Sequence, residues 1–267
     1  MSFQFLKLGG SLLTDKNKPG TSRLDVLARL AYEIAEAKAD LGDLRLVLGH
    51  GSGSFAHIPA MKYGTRQGVR TPDQWRGFAE VWREADALNR LVVDALHAAG
   101  LPAVRFAISG GAVTRAGQVA VWDLTPLRAA LAAGLLPVVY GDVVFDQEWG
   151  GTILSTEDIF VHLARELKPA RVLIAGIEEG VWADYPACTE IIPEITPGNF
   201  AAVAPVLGGS AATDVTGGMA SKVRELLGLV KAVSGLEGVI FSGAYSGRVG
   251  EAIRGKTVGT RIWSGYM

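Results

Sequence analysis

One cysteine, Cys188, stands in the 267 residues. No disulfide can close within the chain, and a reducing compartment is the expected setting. No apolar run approaches the roughly 20 residues needed to cross a bilayer. The opening MSFQFLKLGG lacks the charged segment and long apolar stretch of a secretory leader. A cytoplasmic protein that does not enter a membrane is therefore expected. Charge of one sign is also missing, since 26 Lys and Arg stand against 27 Asp and Glu for a net charge of -1. Nucleic acids and anionic surfaces select basic faces, so neither is an expected partner. The lysine–serine ending of a P-loop is absent, and no convincing G-x-G-x-x-G opens a βαβ unit. Neither internal repeats nor low-complexity segments are present.

What the chain does have is apolar mass. Hydrophobic residues make up 49% and charged residues 20%, enough for one large α/β domain or two lobes. The organising stretch is Leu46 to His57, LVLGHGSGSFAH. Leu46-Val47-Leu48 has the form of a short buried strand. It runs into Gly49, Gly51, Ser52, Gly53 and Ser54, small residues that allow close approach of backbone to ligand. Several N–H groups turned one way make an anion cradle. His50 and His57 bracket the turn. The same pattern also suits a tight strand-to-helix turn with two solvated histidines.

Other strand ends carry similar chemistry. Phe3–Leu8 is a first strand closing on Lys7-Leu8-Gly9-Gly10-Ser11, with a lysine where open α/β sheets place ligands. Lys16 follows in a polar loop. Leu27, Leu30, Ala31, Ile34 and Ala35 recur at helical spacing. So do Trp75, Phe78, Trp82, Ala85, Leu88, Val92 and Ala95 over 72–99, an aromatic stripe that suits core, dimer interface or pocket. Strands are expected at 103–107, 136–140, 171–175, 239–242 and 258–262, and a helix at 125–133. Ser155 or Thr156 caps a helix whose first turn holds Glu157 and Asp158, acids that suit its positive end. Residues 185–209 are rich in proline and glycine and read as loop. Asp214-Val215-Thr216-Gly217-Gly218-Met219 opens a further helix with Lys222 close behind, a second anion site by the same physics. Alternating strands and helices predict a three-layer αβα sandwich around a mostly parallel sheet. Two anion cradles and nearby lysines suit phosphoryl transfer, which needs in-line positioning and positive charge more than covalent help.

KLGGS, GHGSGSFAH, GDVVFD, the ST-x-D helix start, Gly180-Val181-x-x-Asp184, DVTGGMASKV and the closing VGTRI together resemble the amino-acid kinase superfamily, in order and over nearly the whole chain. The histidine ending the glycine loop resembles that of the isopentenyl phosphate kinases. The resemblance implies ATP-dependent phosphorylation of isopentenyl phosphate to the diphosphate, in isoprenoid biosynthesis. The alternatives are a kinase for another small phosphate or phosphonate such as fosfomycin, and a non-catalytic binding protein on this fold.

Position by position, the resemblance implies that His57 holds the acceptor phosphate with the backbone of Gly51, Ser52 and Gly53. Gly10, Ile153, Phe78 and Trp82 would complete the substrate side, with Phe55 and Trp75 as further candidates for a dry slot. Lys7 and Lys222 would flank the transferring group, Lys16 would reach the β- and γ-phosphates, and Asp158 would orient the lysines. Gly9, Asp184, Gly217 and Gly218 would serve ATP. Mg²⁺ would ride on phosphate and water oxygens, with no dedicated protein ligands. A homodimer is implied, with an acceptor and dimer lobe over 1–165 and an ATP lobe over 166–267. Serine at 52 and alanine at 56 depart from the family's loop, and Ala175-Gly176 departs from the usual Thr/Ser-Asp pair. Asp142 would either touch substrate or end its strand, and His50 stays a loop residue.

Overall fold

The computed structural model describes residues 3–15, 17–208 and 218–265. The chain opens with β1 (Phe3–Leu8), the one-turn α1 (Gly10–Leu13), α2 (Leu24–Leu41), β2 (Arg45–His50), α3 (Gly53–Tyr63) and α4 (Pro72–Ala98). Next come β3 (Ala103–Arg105), β4 (Ala112–Arg115), β5 (Gln118–Trp122), α5 (Thr125–Ala132), β6 (Leu136–Tyr140), β7 (Asp142–Asp146), β8 (Gly150–Leu154) and α6 (Thr156–Leu167). The last third holds β9 (Arg171–Gly176), β10 (Val181–Trp182), β11 (Ile191–Ile192), β12 (Glu194–Ile195), α7 (Phe200–Val203), α8 (Gly218–Ala232), β13 (Glu237–Ser242), α9 (Arg248–Ile253) and β14 (Thr260–Ile262).

The main sheet runs β12-β14-β13-β9-β1-β2-β6-β3. Its central pairs are parallel, and β14 turns antiparallel against β13. Strands covered on both faces must be apolar throughout, and β1 and β2 bury all but their first residue. Alternation along β1 separates the two layers. Phe5 packs with α5, α6 and α8, whereas Leu6 and Leu8 pack with α2, α9 and the far end of α4. Lys7 is two residues from Phe5 and so shares the α6/α8 face. The αβα sandwich expected from the pattern is the observed architecture.

Three local features depart from the sequence reading. A second, four-stranded sheet, β5-β4-β7-β8, stands beside the first with mixed pairing. Its third core cluster, with Ala56, Val69, Phe78, Val81, Ala85, Tyr140 and Val143, lies between α3, α4 and that sheet. Residues 185–208, expected as loop, contain β11, β12, α7 and a final 3₁₀ turn. Two-residue strands are too short to show a period, and β12 joins the sheet because β14 offers it an edge and Ile195 is wholly buried. The strands expected at 103–107 and 258–262 shorten to β3 and β14.

The parallel strands end side by side. Leu8, His50, Tyr140, Gly176 and Ser242 close β1, β2, β6, β9 and β13, and the loops that follow them meet at one edge.

Candidate active site

At that carboxyl edge lies a cleft of about 780 Å³, in the size range of small-molecule sites. The turns after β1 and β2 form its floor, packed backbone against backbone. A Cβ on Gly10 would lie 2.4 Å from the Gly53 amide nitrogen, and one on Gly51 would lie 2.9 Å from the Gly10 nitrogen. Only glycine permits that approach. Gly53 also takes φ +51°, while Ser52 sits at φ -77°. The serine at 52 therefore bears no left-handed strain.

The loop presents donors. The α3 N-terminus has no side-chain cap, because Ser52 Oγ donates instead to the Gly141 carbonyl at 2.9 Å. The amides of Gly10, Ser11, Ser52 and Gly53 donate to no backbone carbonyl among the described residues. An uncapped helix start with open N–H groups and a positive dipole end attracts an anion. The Gly51 amide is not part of that set. It donates to Leu8 O at 3.1 Å and ties the two strand ends together, so Gly51 shapes the cradle and supplies no donor. His57 stands one turn into α3 and, half-buried, lines the cleft.

Across the cleft, Lys7 Nζ lies against Glu157 Oε1, with both side chains nearly buried. Burial pushes the Glu157 carboxyl up, but the charges of Lys7 and Lys222 outweigh it and hold the group below its ordinary range. Lys222, from the start of α8, also lines the cleft. The acid that orients Lys7 is therefore Glu157, not Asp158. In α6 the third residue folds back on the cap. Asp158 accepts from Ser155 N at 2.8 Å, and Ser155 Oγ accepts from Asp158 N at 3.1 Å. Asp158 also pairs with Arg66 Nη2 at 3.1 Å. The residue before it is turned about 100° around the axis, and there Glu157 faces Lys7.

The apolar end of the cleft is lined by Ala56, Ala60, Met61, Val81 and Ile153. Ile153 is placed as expected. Phe78 and Trp82 are not in the wall, and neither are Phe55 and Trp75. Phe78 packs against Trp75 and Phe145, over the backbone of Gly151. Trp82 is 42% exposed on the outer side of α4. Of this helix, Val81 reaches the cleft, a residue the aromatic stripe overshadowed.

The far end is formed by Gly9, Gly176, Ile177, Glu178, Trp182, Tyr185 and Met219. Trp182 Nε1 donates to Glu178 at 2.8 Å. Asp184 does not line the cleft. Its carboxylate accepts from the Thr189 and Glu190 amides, at 3.1 and 3.2 Å, and holds the β10–β11 turn. Gly218 begins α8 at φ +64°. Lys16 and Gly217 lie outside the described residues. Asp142 is buried at a strand start, accepting from Ser109 Oγ at 2.7 Å and Val143 N at 2.8 Å, so it is structural. His50 is not a loop residue. It is the buried end of β2, bonded to Asn89 at 3.1 Å and stacked on Tyr140. Burial lowers its affinity for a proton.

Residues 2–242 match the model of the amino acid kinase family. Isopentenyl phosphate kinase from Methanocaldococcus jannaschii is 34% identical over 263 residues, 96% of this chain and 97% of that one. The chain belongs to the amino acid kinase family, on its isopentenyl phosphate kinase branch. The Haloferax volcanii isopentenyl phosphate kinase is 39% identical over 231 residues, 86% of this chain and 89% of that one. A solved isopentenyl phosphate kinase structure superposes with a TM-score of 0.81 at 32% identity, covering 97% of this chain and 99% of that one. The sequence missed Glu157, Val81, Met61 and Trp182 as cleft residues. Glu157 alone had a signal, as a second acid at the helix start.

Proposed function

We propose that this chain transfers the γ-phosphoryl group of ATP to isopentenyl phosphate, forming isopentenyl diphosphate and ADP. The observation that carries this reading is the joining of three features in one cleft. These are an uncapped helix start with His57, a Lys7–Glu157 pair beside Lys222, and an apolar end at Met61, Val81 and Ile153. The phosphate of the acceptor lies on the amides of Ser52 and Gly53 with His57. An acceptor phosphate oxygen attacks the γ-phosphorus, the bond to the β-bridging oxygen breaks, and ADP leaves with that electron pair. Lys7 and Lys222 offset the charge that shifts onto the equatorial and bridging oxygens. Glu157 holds the Lys7 ammonium in place at the cleft.

The prenyl tail fills the apolar end, which a small polar phosphonate would leave empty. The nucleotide occupies the side of Trp182 and Met219, with an acceptor lobe over about 1–165 and an ATP lobe over about 166–267 to which Gly9 adds its backbone. Among the described residues no group of three or more His, Cys, Asp or Glu side chains could hold a metal ion. When bound, Mg²⁺ would ride on the nucleotide, held mainly by phosphate and water oxygens. The reading extends to a cytoplasmic homodimer. Phosphorus NMR of a mixture of the protein, ATP, Mg²⁺ and isopentenyl phosphate tests it. Coupled diphosphate signals should grow as the monophosphate signal falls, and an unchanged monophosphate signal overturns the reading.

A further inference from the structure

Behind the transfer lysines stands a carboxylate that the chemistry above leaves unused. Glu225 follows Lys222 by three residues on α8 and so lies on the same side of that helix. A small cavity of about 10 Å³ has Glu157, Lys222 and Glu225 in one wall, with Phe160, Ile174 and Leu226 around them. Glu225 Oε1 accepts from Ser221 Oγ at 2.8 Å. Oε2 is buried and meets no donor among the described residues. An unpaired buried carboxylate oxygen is costly when charged and far less so when it carries a proton.

The groups facing it come from three elements. Lys7 stands on β1, Glu157 and Asp158 on α6, and Ser221 and Lys222 on α8 itself. Burial raises the Glu225 carboxyl most, the Ser221 hydrogen bond lowers it, Glu157 and Asp158 raise it, and Lys7 lowers it. The balance pushes it up to about 7.

We propose that Glu225 is a positioning residue for the two transfer lysines, neutral when phosphates occupy the cleft and opposed to their binding when ionised. With Asp158 paired to Arg66, the formal charges of Lys7, Lys222 and Glu157 sum to one positive, and ionised Glu225 cancels it. A polyphosphate favours the protonated state, so by linkage its binding drives proton uptake and weakens as pH rises. This rests on the reading that the cleft takes a nucleotide and is independent of which acceptor it serves.

Calorimetric titration of the parent and of Glu225→Gln with Mg²⁺-ADP at pH 6 and pH 8.5 tests it. Protonation of the nucleotide and of every other residue is common to both proteins and cancels in the comparison. The parent should lose at least fivefold more affinity than Glu225→Gln across that range. Ser221→Ala, which removes the hydrogen bond that stabilises the ionised form, should move the parent's break to higher pH. Parallel profiles for parent and Glu225→Gln overturn the role of Glu225 and leave the kinase reading intact. A parent that binds no ADP at either pH overturns the nucleotide reading itself.

Discussion

Lys7 on β1 and Glu157 on α6 form an ion pair with side-chain exposures of 8% and 10%, 150 residues apart in sequence. The pair joins the central strand to the start of α6 in the cleft wall, and it fixes where the Lys7 charge sits. A buried pair is costly to break from one side, about 3 kcal/mol or more, because the surviving charge is stranded. Glu157→Gln should therefore lower both the unfolding free energy and kcat, the latter by roughly 100-fold, as for loss of a transition-state donor. Asp158→Asn removes a cap contact and should cost about 1 kcal/mol with kcat within a few-fold of the parent. Equal kcat losses in the two variants would restore Asp158 as the orienting acid. Because the folded Glu157 carboxyl lies below its unfolded value of 4.5, its contribution is full above that value. It should be lost as pH falls through the folded value, and acid denaturation of Glu157→Gln should lack that component.

The prenyl slot has a sharper test than its volume. Trp82 lies outside the cleft and Ile153 inside it. Trp82→Ala should leave the KM for isopentenyl phosphate unchanged. Ile153→Ala should raise kcat/KM for a ten-carbon prenyl phosphate relative to the five-carbon one. Methyl phosphate, lacking four carbons at about 0.8 kcal/mol each, should react roughly 100-fold less efficiently than isopentenyl phosphate. A KM that tracks Trp82 would return the slot to the aromatic stripe.

Asp142 gives a stability test separate from catalysis. Burial, opposed by its Ser109 and Val143 hydrogen bonds, raises it from 3.8 to about 6. The folded state then holds a proton that the unfolded state has lost, so this residue's contribution falls as pH rises from about 4 to 6. Asp142→Asn should flatten the pH dependence of the melting temperature in that window. At pH 7 it should be at least as stable as the parent, with a difference on the order of 2 kcal/mol. A variant less stable than the parent at pH 7 would contradict the burial argument.

The legible parts of this chain were those whose pattern is local. The alternation of strands with helices disclosed the sandwich, and the glycine turns at Gly9–Ser11 and Gly51–Gly53 disclosed the edge at which the cleft lies. Ion pairing was not legible. Glu157 and Asp158 are adjacent in sequence, and only the capping box, which draws the third residue of α6 back to Ser155, decides which acid faces Lys7. Likewise Val81 and Trp82 are neighbours on α4, and the turn of about 100° between them leaves one in the cleft and the other exposed. Apolar size favoured the tryptophan, while the cleft was built from the valine. The second sheet escaped because its strands are short and Val121 and Phe145 on it are exposed, which blurs their alternation.

The central claim is that the α3 start and His57 hold a phosphate about to receive another. Steady-state kinetics of His57→Ala against the parent, with ATP saturating and isopentenyl phosphate varied, tests it most directly. His57 makes no hydrogen bond among the described residues, so its loss should leave stability within about 0.5 kcal/mol. The account predicts turnover in the parent and at least a tenfold fall in kcat/KM for isopentenyl phosphate in the variant, with the KM for ATP unchanged. Equal kcat/KM in the two proteins, or no turnover in the parent, would contradict it.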